Sequence, residues 1–187
     1  MKRLFVAIKF NEEEQLALLC NQSKQLFRKH TKIKWVEEQN LHLTLFFIGE
    51  VENETALKIQ NEFEQRFRYI KPVSLEYDGN FIFYHKHIPK VIGIRFKSNE
   101  YLTFLKQELN DMMKKFKIHE EERNFIPHLT FGRVKQIASM NEFDTYINLQ
   151  FPITFITVSV LCLFESTLNP SGPVYTPLIE LNPDSNH

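Results

Sequence analysis

The sequence predicts an α+β fold in which strands and about three helices follow one another in runs, without strict alternation. Strand-length apolar stretches recur along the whole chain, and three longer segments repeat apolar residues at spacings of three and four. A doubly wound parallel sheet would need regular alternation of strand and helix. No stretch rich in Pro, Gly or Ser divides the 187 residues, so we expect one domain over residues 1–183 and a loose tail at 184–187.

The N-terminal part predicts a central strand, a helix and two further strands. Residues 4–8 are almost uninterruptedly apolar, which is typical of a strand covered on both faces near the middle of a sheet. Asn11 offers an N-cap for a first helix that has Cys20 on its apolar side. Residues 34–36 and 41–48 have the composition of strands, and Gly49 is expected to end the second of them.

The middle of the chain predicts a second helix and three strand-like segments. The helix begins at about Asn53 and stops before Pro72. Its apolar face consists of Ala56, Ile59, Phe63, Phe67 and Ile70. The strand-like segments are residues 73–77, 81–84 and 91–96.

The C-terminal part predicts a third helix and three more strands. The helix begins at about Asn99, and its apolar stripe is typical of core packing. The stripe consists of Leu102, Leu105, Leu109, Met112, Met113 and Phe116. We interpret the acidic run at residues 120–122 as a solvated loop, and we expect strands at residues 128–134, 153–164 and 174–181.

Composition limits the classes of protein that this chain can represent. Lys plus Arg equals Asp plus Glu at 23 each, so net charge gives no long-range attraction to duplex DNA, and any contact with nucleic acid must be local. The apolar N-terminal stretch is too short for a signal peptide, and no stretch reaches the roughly 20 apolar residues of a membrane helix. We expect Cys20 and Cys162 to be reduced packing residues of a cytoplasmic protein.

A short internal repeat carries the strongest functional signal. Residues 42–45 (His-Leu-Thr-Leu) and 128–131 (His-Leu-Thr-Phe) share one pattern, and each lies among strand-forming residues. A chain of this composition should contain such a triplet far less than once by chance. Because successive side chains of a strand point to opposite faces, each motif places its His and Thr on one face and its two apolar residues on the other.

If the two motif strands lie side by side, two imidazoles and two hydroxyls line one groove, and this set of groups suits phosphoester cleavage by proton transfer. One neutral imidazole, of His42 or His128, can remove a proton from water while the other, protonated, delivers a proton to the leaving oxygen. An unperturbed pKa of about 6.5 allows either role near neutral pH. The hydroxyls of Thr44 and Thr130 can donate hydrogen bonds to phosphate oxygens.

Two other interpretations of the repeat stay open. Each histidine could be a partly buried residue satisfied by a neighbour, although packing does not require His and Thr together twice. A zinc site is disfavoured, because the motifs lack the His-x-x-x-His or Cys-x-x-Cys spacing and no carboxylate stands at a fixed position in either.

At these motifs the chain resembles the two-histidine (2H) phosphoesterase superfamily, whose signature is a duplicated His-x-Thr/Ser-x motif. Within it, the chain is most similar to the bacterial RNA 2',3'-cyclic phosphodiesterases, also called RNA 2'-5' ligases. The segments that carry the resemblance are residues 3–8, 35–36, 40–45, 47–50, 125–130, 165–166 and 172–175. The resemblance implies a bilobal α+β body, in which pseudo-twofold duplicated antiparallel sheets surround a central cleft and helices cover the outer faces.

The resemblance also implies residue roles. His128 would be the proton acceptor that activates water, and His42 the proton donor to the 3' oxygen, which leaves a 2'-phosphate end; no metal or nucleotide cofactor is implied. Relatives often have a basic residue where this chain has Phe46, so a phosphate contact there would be missing or replaced by stacking on a base. Arg133 matches the family, but in a regular strand it would lie on the apolar face, so its contact with phosphate depends on a local twist.

The activity implied by the resemblance is that of a hydrolase, an RNA 2',3'-cyclic 3'-phosphodiesterase, with reversible 2'-5' RNA ligation as an extension. The partner would be RNA with a 2',3'-cyclic phosphate end, tRNA fragments included, bound by a monomer. Two alternatives stay open: a phosphodiesterase of small cyclic nucleotides or ADP-ribose cyclic phosphate, and a non-catalytic RNA-end binding protein. Intact His and Thr in both motifs disfavour the binding protein.

Two further features are interpreted as structural. The segment at residues 84–87 (Tyr-His-Lys-His) could bind a metal or a phosphate, but its place beside Pro89 predicts the tip of a hairpin. Trp35 could stack on a nucleobase, but we expect it to pack in the core beside the first motif.

Overall fold

The computed structural model of the chain describes residues 1–10, 14–27, 31–119, 125–158, 160–169 and 172–183. These residues form nine strands, four α-helices and one 3-10 turn. In chain order they are β1 (Lys2–Lys9), α1 (Glu14–Leu26), β2 (Lys32–Trp35), the 3-10 turn (Glu38–Asn40), β3 (His42–Val51), α2 (Asn53–Arg66), β4 (Val73–His85), β5 (Ile88–Phe96), α3 (Glu100–Lys114), β6 (His128–Gln136), α4 (Asn141–Asn148), β7 (Phe155–Val158), β8 (Val160–Asn169) and β9 (Gly172–Leu181).

The strands form two sheets, here called the first sheet, with strand order β3-β1-β8-β9, and the second sheet, with strand order β2-β6-β5-β4-β7. Neighbouring strands are antiparallel throughout both sheets. The predicted α+β class with two antiparallel sheets is therefore confirmed. The first motif lies on β3, at an edge of the first sheet, and the second motif lies on β6, which has a neighbour on each side.

The strand β1 holds the middle of the first sheet, as its apolar run predicts. It lies between β3 and β8, and residues 4–8 are all buried. A strand in this position has a strand on each side and packing on both faces, so every side chain contributes to the core. Full burial of a Leu, Ile, Val or Phe side chain contributes about 1.5–3 kcal/mol.

The helices pack their apolar faces against the sheets. In α2 the buried residues are Ala56, Ile59 and Phe63, and α3 buries five of the six residues of its predicted stripe. Asn99 caps α3 by accepting a hydrogen bond from the Leu102 N–H at 2.8 Å. Residues of both sheets and of the helices belong to one continuous core cluster, so the two sheets share a core.

The course of several strands differs from the prediction. Residues 73–77 and 81–84 belong to a single strand, β4. The pairing of this strand with β5 shifts register at Gly79, where φ is 115°. The strand β3 does not end at Gly49 but continues through it, with φ of 83°, to Val51. Both glycines adopt backbone angles that other residues rarely take, so each bends a strand where the sequence suggested a break.

Two predictions about the C-terminal part are also corrected. Residues 153–164 were expected to form one strand, but they are divided between β7 in the second sheet and β8 in the first. The helix α4 was not predicted at all. It has eight residues and buries only Phe143 and Tyr146, so its apolar pattern is too short to show a helical period.

Three predictions concern residues outside the described ranges and stay predictions: the Asn11 cap, the acidic run at residues 120–122 and the tail at 184–187, and with the tail the domain boundary at 183. Cys20 and Cys162 are buried and free, which agrees with packing roles. Burial raises the pKa of each thiol to about 12. Within the described part of the chain, no helix is long and apolar enough to cross a membrane.

Candidate active site

The first motif lies on β3 with the predicted alternation of faces. His42 pairs with Lys9 of β1, and Thr44 pairs with Ala7. Leu43 and Leu45 are buried, whereas His42 and Thr44 are partly exposed. The apolar residues therefore fix the strand to the core and leave one imidazole and one hydroxyl side by side on the open face.

The second motif repeats this arrangement on β6. His128 and Thr130 are partly exposed, whereas Leu129 and Phe131 are buried. Thr130 pairs with Gly93 of β5. A Cβ at Gly93 would collide with the Leu129 carbonyl, so only glycine allows β5 to approach the motif this closely.

Both imidazoles are oriented by the same short hydrogen bond. Nδ1 of His42 lies 2.7 Å from the Asn40 carbonyl oxygen, and Nδ1 of His128 lies 2.8 Å from the Ile126 carbonyl oxygen. A carbonyl oxygen only accepts, so Nδ1 must carry the donated proton in both rings. In the neutral state each Nε2 therefore presents a lone pair, which is the atom that can exchange a proton with a substrate.

Aromatic rings hold the two imidazoles on either side of the site. The His42 ring lies 5.2 Å from Phe5 and 5.1 Å from Tyr175, the latter nearly perpendicular at 83°. The His128 ring stacks on Phe81 at 4.8 Å and 28°. These three aromatic residues were not predicted as parts of the site, because nothing in a single sequence indicates which rings face a histidine.

The two motifs are close enough to interact electrostatically. Burial is the main cause that lowers the pKa of His42, and the positive charges of His128 and Arg133 lower it further. The hydrogen bond to the Asn40 carbonyl favours the protonated ring and opposes these effects. The structure thus brings together His42 of the first sheet with His128 and Arg133 of the second.

Each motif ends in a β-bulge at its fourth residue. Thr44 and Phe46 pair with consecutive residues of β1, Ala7 and Val6, so Leu45 is the extra residue. A bulge shifts the alternation by one position. Phe46 is consequently buried in the core and Phe47 is 61% exposed. Of the two alternatives for Phe46, stacking on a base is therefore wrong and a missing phosphate contact remains, whereas Phe47 is an exposed aromatic residue on the open face.

The second bulge supplies the local twist on which the role of Arg133 depends. Thr130 and Gly132 pair with Gly93 and Ile92, which leaves Phe131 as the extra residue. Arg133 then pairs with Val91 and is exposed. It lies on the same face as Thr130, and it occupies the position that Phe47 has in the first motif, five residues after the histidine.

The carbonyl of each bulge residue has a different partner. The Phe131 carbonyl accepts a hydrogen bond from the Val36 backbone N–H at 2.8 Å, next to β2. The Leu45 carbonyl lies on an edge strand and accepts from the Lys106 ammonium of α3 at 2.6 Å. That ammonium also lies 5.2 Å from the ring centres of both Phe46 and Phe125. Lys106 was not predicted, since a lysine on a helix gives no signal of such a contact.

Of the two features interpreted as structural, the hairpin tip is placed as expected, whereas Trp35 lies beside the other motif. Lys86 and His87 have φ of 49° and 62° at the tip of the β4–β5 hairpin, as in a two-residue turn that requires positive φ. Trp35 packs against the core as expected, with its ring 6.4 Å from Phe27. Its expected place beside the first motif is wrong, because β2 pairs with β6 and Trp35 lies opposite Gly132, beside the second motif.

Comparisons with known proteins agree with this geometry. Residues 17–169 match the 2'-5' RNA ligase superfamily. A Thermotoga maritima protein named RNA 2',3'-cyclic phosphodiesterase is 32% identical over 182 residues, which are 95% of this chain and 94% of that protein. A Methanocaldococcus jannaschii protein of the same name is 33% identical over 177 residues, 92% of this chain and 96% of that protein.

Solved structures show the same fold. The crystal structure of TT0787 of Thermus thermophilus covers 99% of this chain and 100% of its own, with a TM-score of 0.77 and 26% identity. The structure of Escherichia coli LigT complexed with 3'-AMP covers 97% of both chains with a TM-score of 0.68 and 23% identity, and this likeness concerns the fold.

Two antiparallel sheets that each present one His-x-Thr motif define the class of two-histidine phosphoesterases, which are phosphoric diester hydrolases. The chain belongs to the 2'-5' RNA ligase superfamily. The family and the enzyme class predicted from the sequence are thereby confirmed.

Proposed function

We propose that this enzyme hydrolyses the 2',3'-cyclic phosphate at the end of an RNA to a 2'-phosphate, using His42 and His128 and no metal. One observation carries the proposal. Two imidazoles from different sheets are held by the same Nδ1 hydrogen bond and lie within electrostatic reach of each other. Such a pair can remove a proton on one side of a phosphorus atom and supply one on the other.

The reaction balances with these two groups alone. Nε2 of His128 takes a proton from water as the water oxygen bonds to phosphorus. The bond from phosphorus to the 3' oxygen breaks, and protonated Nε2 of His42 supplies the proton to that oxygen. The product has a 2'-phosphate and a 3'-hydroxyl, and the two imidazoles have exchanged protonation states, which solvent restores. The assignment of acid to His42 and base to His128 follows the family resemblance.

The lowered pKa of His42 is compatible with the role of acid once a phosphodiester is bound. Its pKa is lowered by burial, by the positive charge of Arg133 and, whenever His128 is protonated, by the charge of that ring. A bound anion offsets the effect of these cations and favours the protonated ring. An acid of low pKa is also a stronger donor to an alkoxide leaving group.

Thr44, Thr130 and Arg133 are proposed to hold the phosphate. Among the described residues, neither threonine hydroxyl has a hydrogen-bond partner, so both can donate to non-bridging oxygens. Arg133 adds a cation on the same face and can offer two parallel N–H donors to the phosphate. These groups would stabilise the charge that develops on the oxygens in the transition state.

Phe47 is proposed to stack on the terminal nucleobase. Its ring is 61% exposed and lies 6.3 Å from Phe5, which in turn contacts His42. A stacking ring beside the acid would fix the ribose and its 3' oxygen relative to Nε2. The same two proton transfers run in reverse, with a 5'-hydroxyl in place of water, would give 2'-5' ligation.

We infer that the physiological setting is the cytoplasm, where a monomer acts on RNA fragments, tRNA fragments among them. The buried free thiols support a reducing compartment. The relatives named RNA 2',3'-cyclic phosphodiesterase support RNA as the substrate.

The test uses EDTA-treated protein and a short RNA with a 2',3'-cyclic phosphate end, with the product end group identified by 31P NMR. We expect the wild type to give a 2'-phosphate, and His42→Ala and His128→Ala each to lose about 10²–10⁴-fold in rate. His85→Ala, in the exposed hairpin, serves as the matched control and should retain activity. Loss of wild-type turnover on metal removal would contradict the two-imidazole mechanism.

A further inference from the structure

The edge strand β2 has a cationic face that the proposed chemistry does not use. Its burial alternates strictly: Lys32 and Lys34 are exposed, whereas Ile33 and Trp35 are partly buried and pack against the core. Because side chains alternate along a strand, both lysines lie on the face opposite to the core. This arrangement gives two cations on one side of a short strand.

The strand register places these lysines beside the site. Lys34 pairs directly with Arg133 of β6, and Lys32 pairs with Gln136. Side chains that are directly opposite in an antiparallel pair share a face. The bulge at Phe131 turns Arg133 to the face of His128 and Thr130, so Lys34 and Lys32 extend that face to the edge of the second sheet.

The ammonium group of Lys34 also reaches the first sheet. A Cβ on Gly172 would collide with Lys34 Nζ, so the two residues are in close contact. Gly172 begins β9, and the same strand carries Tyr175, whose ring contacts His42. Lys34 therefore lies where the two sheets meet, with Arg133 on one side and the strand of Tyr175 on the other.

The positions of these cations suit a polyanion more than a single phosphate. Arg133 and Lys34 are one strand spacing apart, about 4.8 Å, and Lys34 and Lys32 are two residues apart, about 6.6 Å along β2. The first step runs across the strands and the second along β2, so the three cations turn a corner at Lys34, and Lys32, opposite Gln136, lies farther from His128 than Arg133 does. The chain has no net charge, so affinity for RNA must come from such local cations. A cyclic mononucleotide has no phosphate to place there.

We propose that Lys34 and Lys32 bind the phosphodiesters on the 5' side of the terminal nucleotide, so that the enzyme prefers an RNA chain to a nucleoside 2',3'-cyclic phosphate. This inference rests on the proposed function for the identity of the terminal group. Arg133 serves the terminal phosphate, Lys34 the next one along the chain, and Lys32 the one after it. The arrangement favours RNA over the small cyclic nucleotides that the sequence left open.

Two measurements on the full chain test the proposed RNA subsite, which consists of Lys32 and Lys34. The first is kcat/KM for a decamer RNA with a 2',3'-cyclic phosphate end, divided by kcat/KM for adenosine 2',3'-cyclic phosphate. The second is the salt dependence of binding of a fluorescent single-stranded decamer with a 2'-phosphate end, which requires no turnover. The double variant Lys32→Gln/Lys34→Gln is compared with Lys58→Gln, because Lys58 is an exposed lysine that pairs with Glu54 of the same helix, α2.

For the double variant we expect the RNA-to-mononucleotide ratio to fall about tenfold or more. The slope of log affinity against log salt should become shallower by about 0.7 for each lost phosphate contact. The Lys34→Arg variant should retain most of the wild-type ratio, and Lys58→Gln should leave ratio and slope at wild-type values.

An unchanged ratio together with an unchanged slope would overturn the subsite, and so would an equal loss on both substrates. If the wild type turns over neither substrate, the proposed function fails. The salt titration then decides the subsite by itself, since a shallower slope in the double variant supports it and an equal slope refutes it.

Discussion

The two motif strands share a sequence pattern but are supported in different ways. In both, the histidine donates its Nδ1 proton to the carbonyl two residues earlier, and a bulge at the fourth residue follows. The second motif lies inside its sheet, and a backbone N–H satisfies its bulge carbonyl. The first lies on β3, which is an edge strand among the residues that the structure describes, and Lys106 supplies the donor.

This difference shows which part of the site is encoded in the repeat. Ring orientation and the bulge depend only on backbone near the motif, so both copies have them. The support of the bulge depends on the neighbouring element, so each copy has its own. The residue that each bulge turns to the open face also differs: Phe47 can contact a base, whereas Arg133 can contact a phosphate.

The threonines should give the largest effects that test this comparison. Thr44→Val and Thr130→Val remove one hydroxyl each and keep the side-chain shape. We expect each to lower kcat by about 10²–10³, as the loss of one transition-state hydrogen-bond donor does in other enzymes. Thr157→Val, on an exposed face of β7, is the control. Comparable losses would mean that both motifs contact the phosphate, and a loss confined to one motif would break the equivalence.

Phe47 should contribute to binding of the base, and Arg133 should contribute to binding of the phosphate. Phe47→Ala should weaken binding of a 2'-phosphate RNA by about 1–3 kcal/mol through lost stacking, with little change in salt dependence. Arg133→Met should instead make the salt dependence shallower by about 0.7 units of slope. Phe155→Ala, an equally exposed ring on β7, controls for surface change. If the two variants change the salt slope alike, the proposed division is wrong.

Removal of Lys106 should weaken the support of the bulge in the first motif. Lys106→Met keeps the aliphatic contacts but leaves the Leu45 carbonyl without this donor and removes the cation between Phe46 and Phe125. We expect a loss of about 1–3 kcal/mol in the free energy of unfolding by urea, with partial recovery in Lys106→Arg. Lys58→Met is the control. An unchanged stability together with unchanged kcat would show that the edge bulge needs no such support.

The sequence was sufficient for features that depend on local pattern. The apolar run at residues 4–8 predicted the central strand, and the alternation within each motif predicted which side chains share a face. It could not indicate α4, whose two buried residues show no period, or the bulges, which depend on pairing with a neighbouring strand. For the same reason it led to Phe46 instead of Phe47, because one extra residue reverses the alternation.

The smallest expected effect concerns the protonation of His42. Burial and the charges of His128 and Arg133 hold its pKa below the usual value of about 6.5. The unfolded chain therefore binds this proton at a higher pH than the native protein does. Between the pKa of His42 in the unfolded chain and its lower pKa in the native protein, the free energy of unfolding falls as pH falls. Above the pKa of the unfolded chain both states are neutral at this ring, and the free energy of unfolding no longer depends on it. Arg133→Met should raise the pKa of His42, as measured from its imidazole NMR signals, and inorganic phosphate should raise it in the wild type.

The same measurement can contradict the proposed coupling between the two sheets. His42 lies on β3 of the first sheet and Arg133 on β6 of the second, and the charge of Arg133 contributes to the lowered pKa of His42. An unchanged pKa of His42 in Arg133→Met would therefore mean that this charge does not reach the first motif. The limbs of the profile of kcat/KM against pH belong to the coupled pair of histidines, so the pKa of each ring is read from its own imidazole signals.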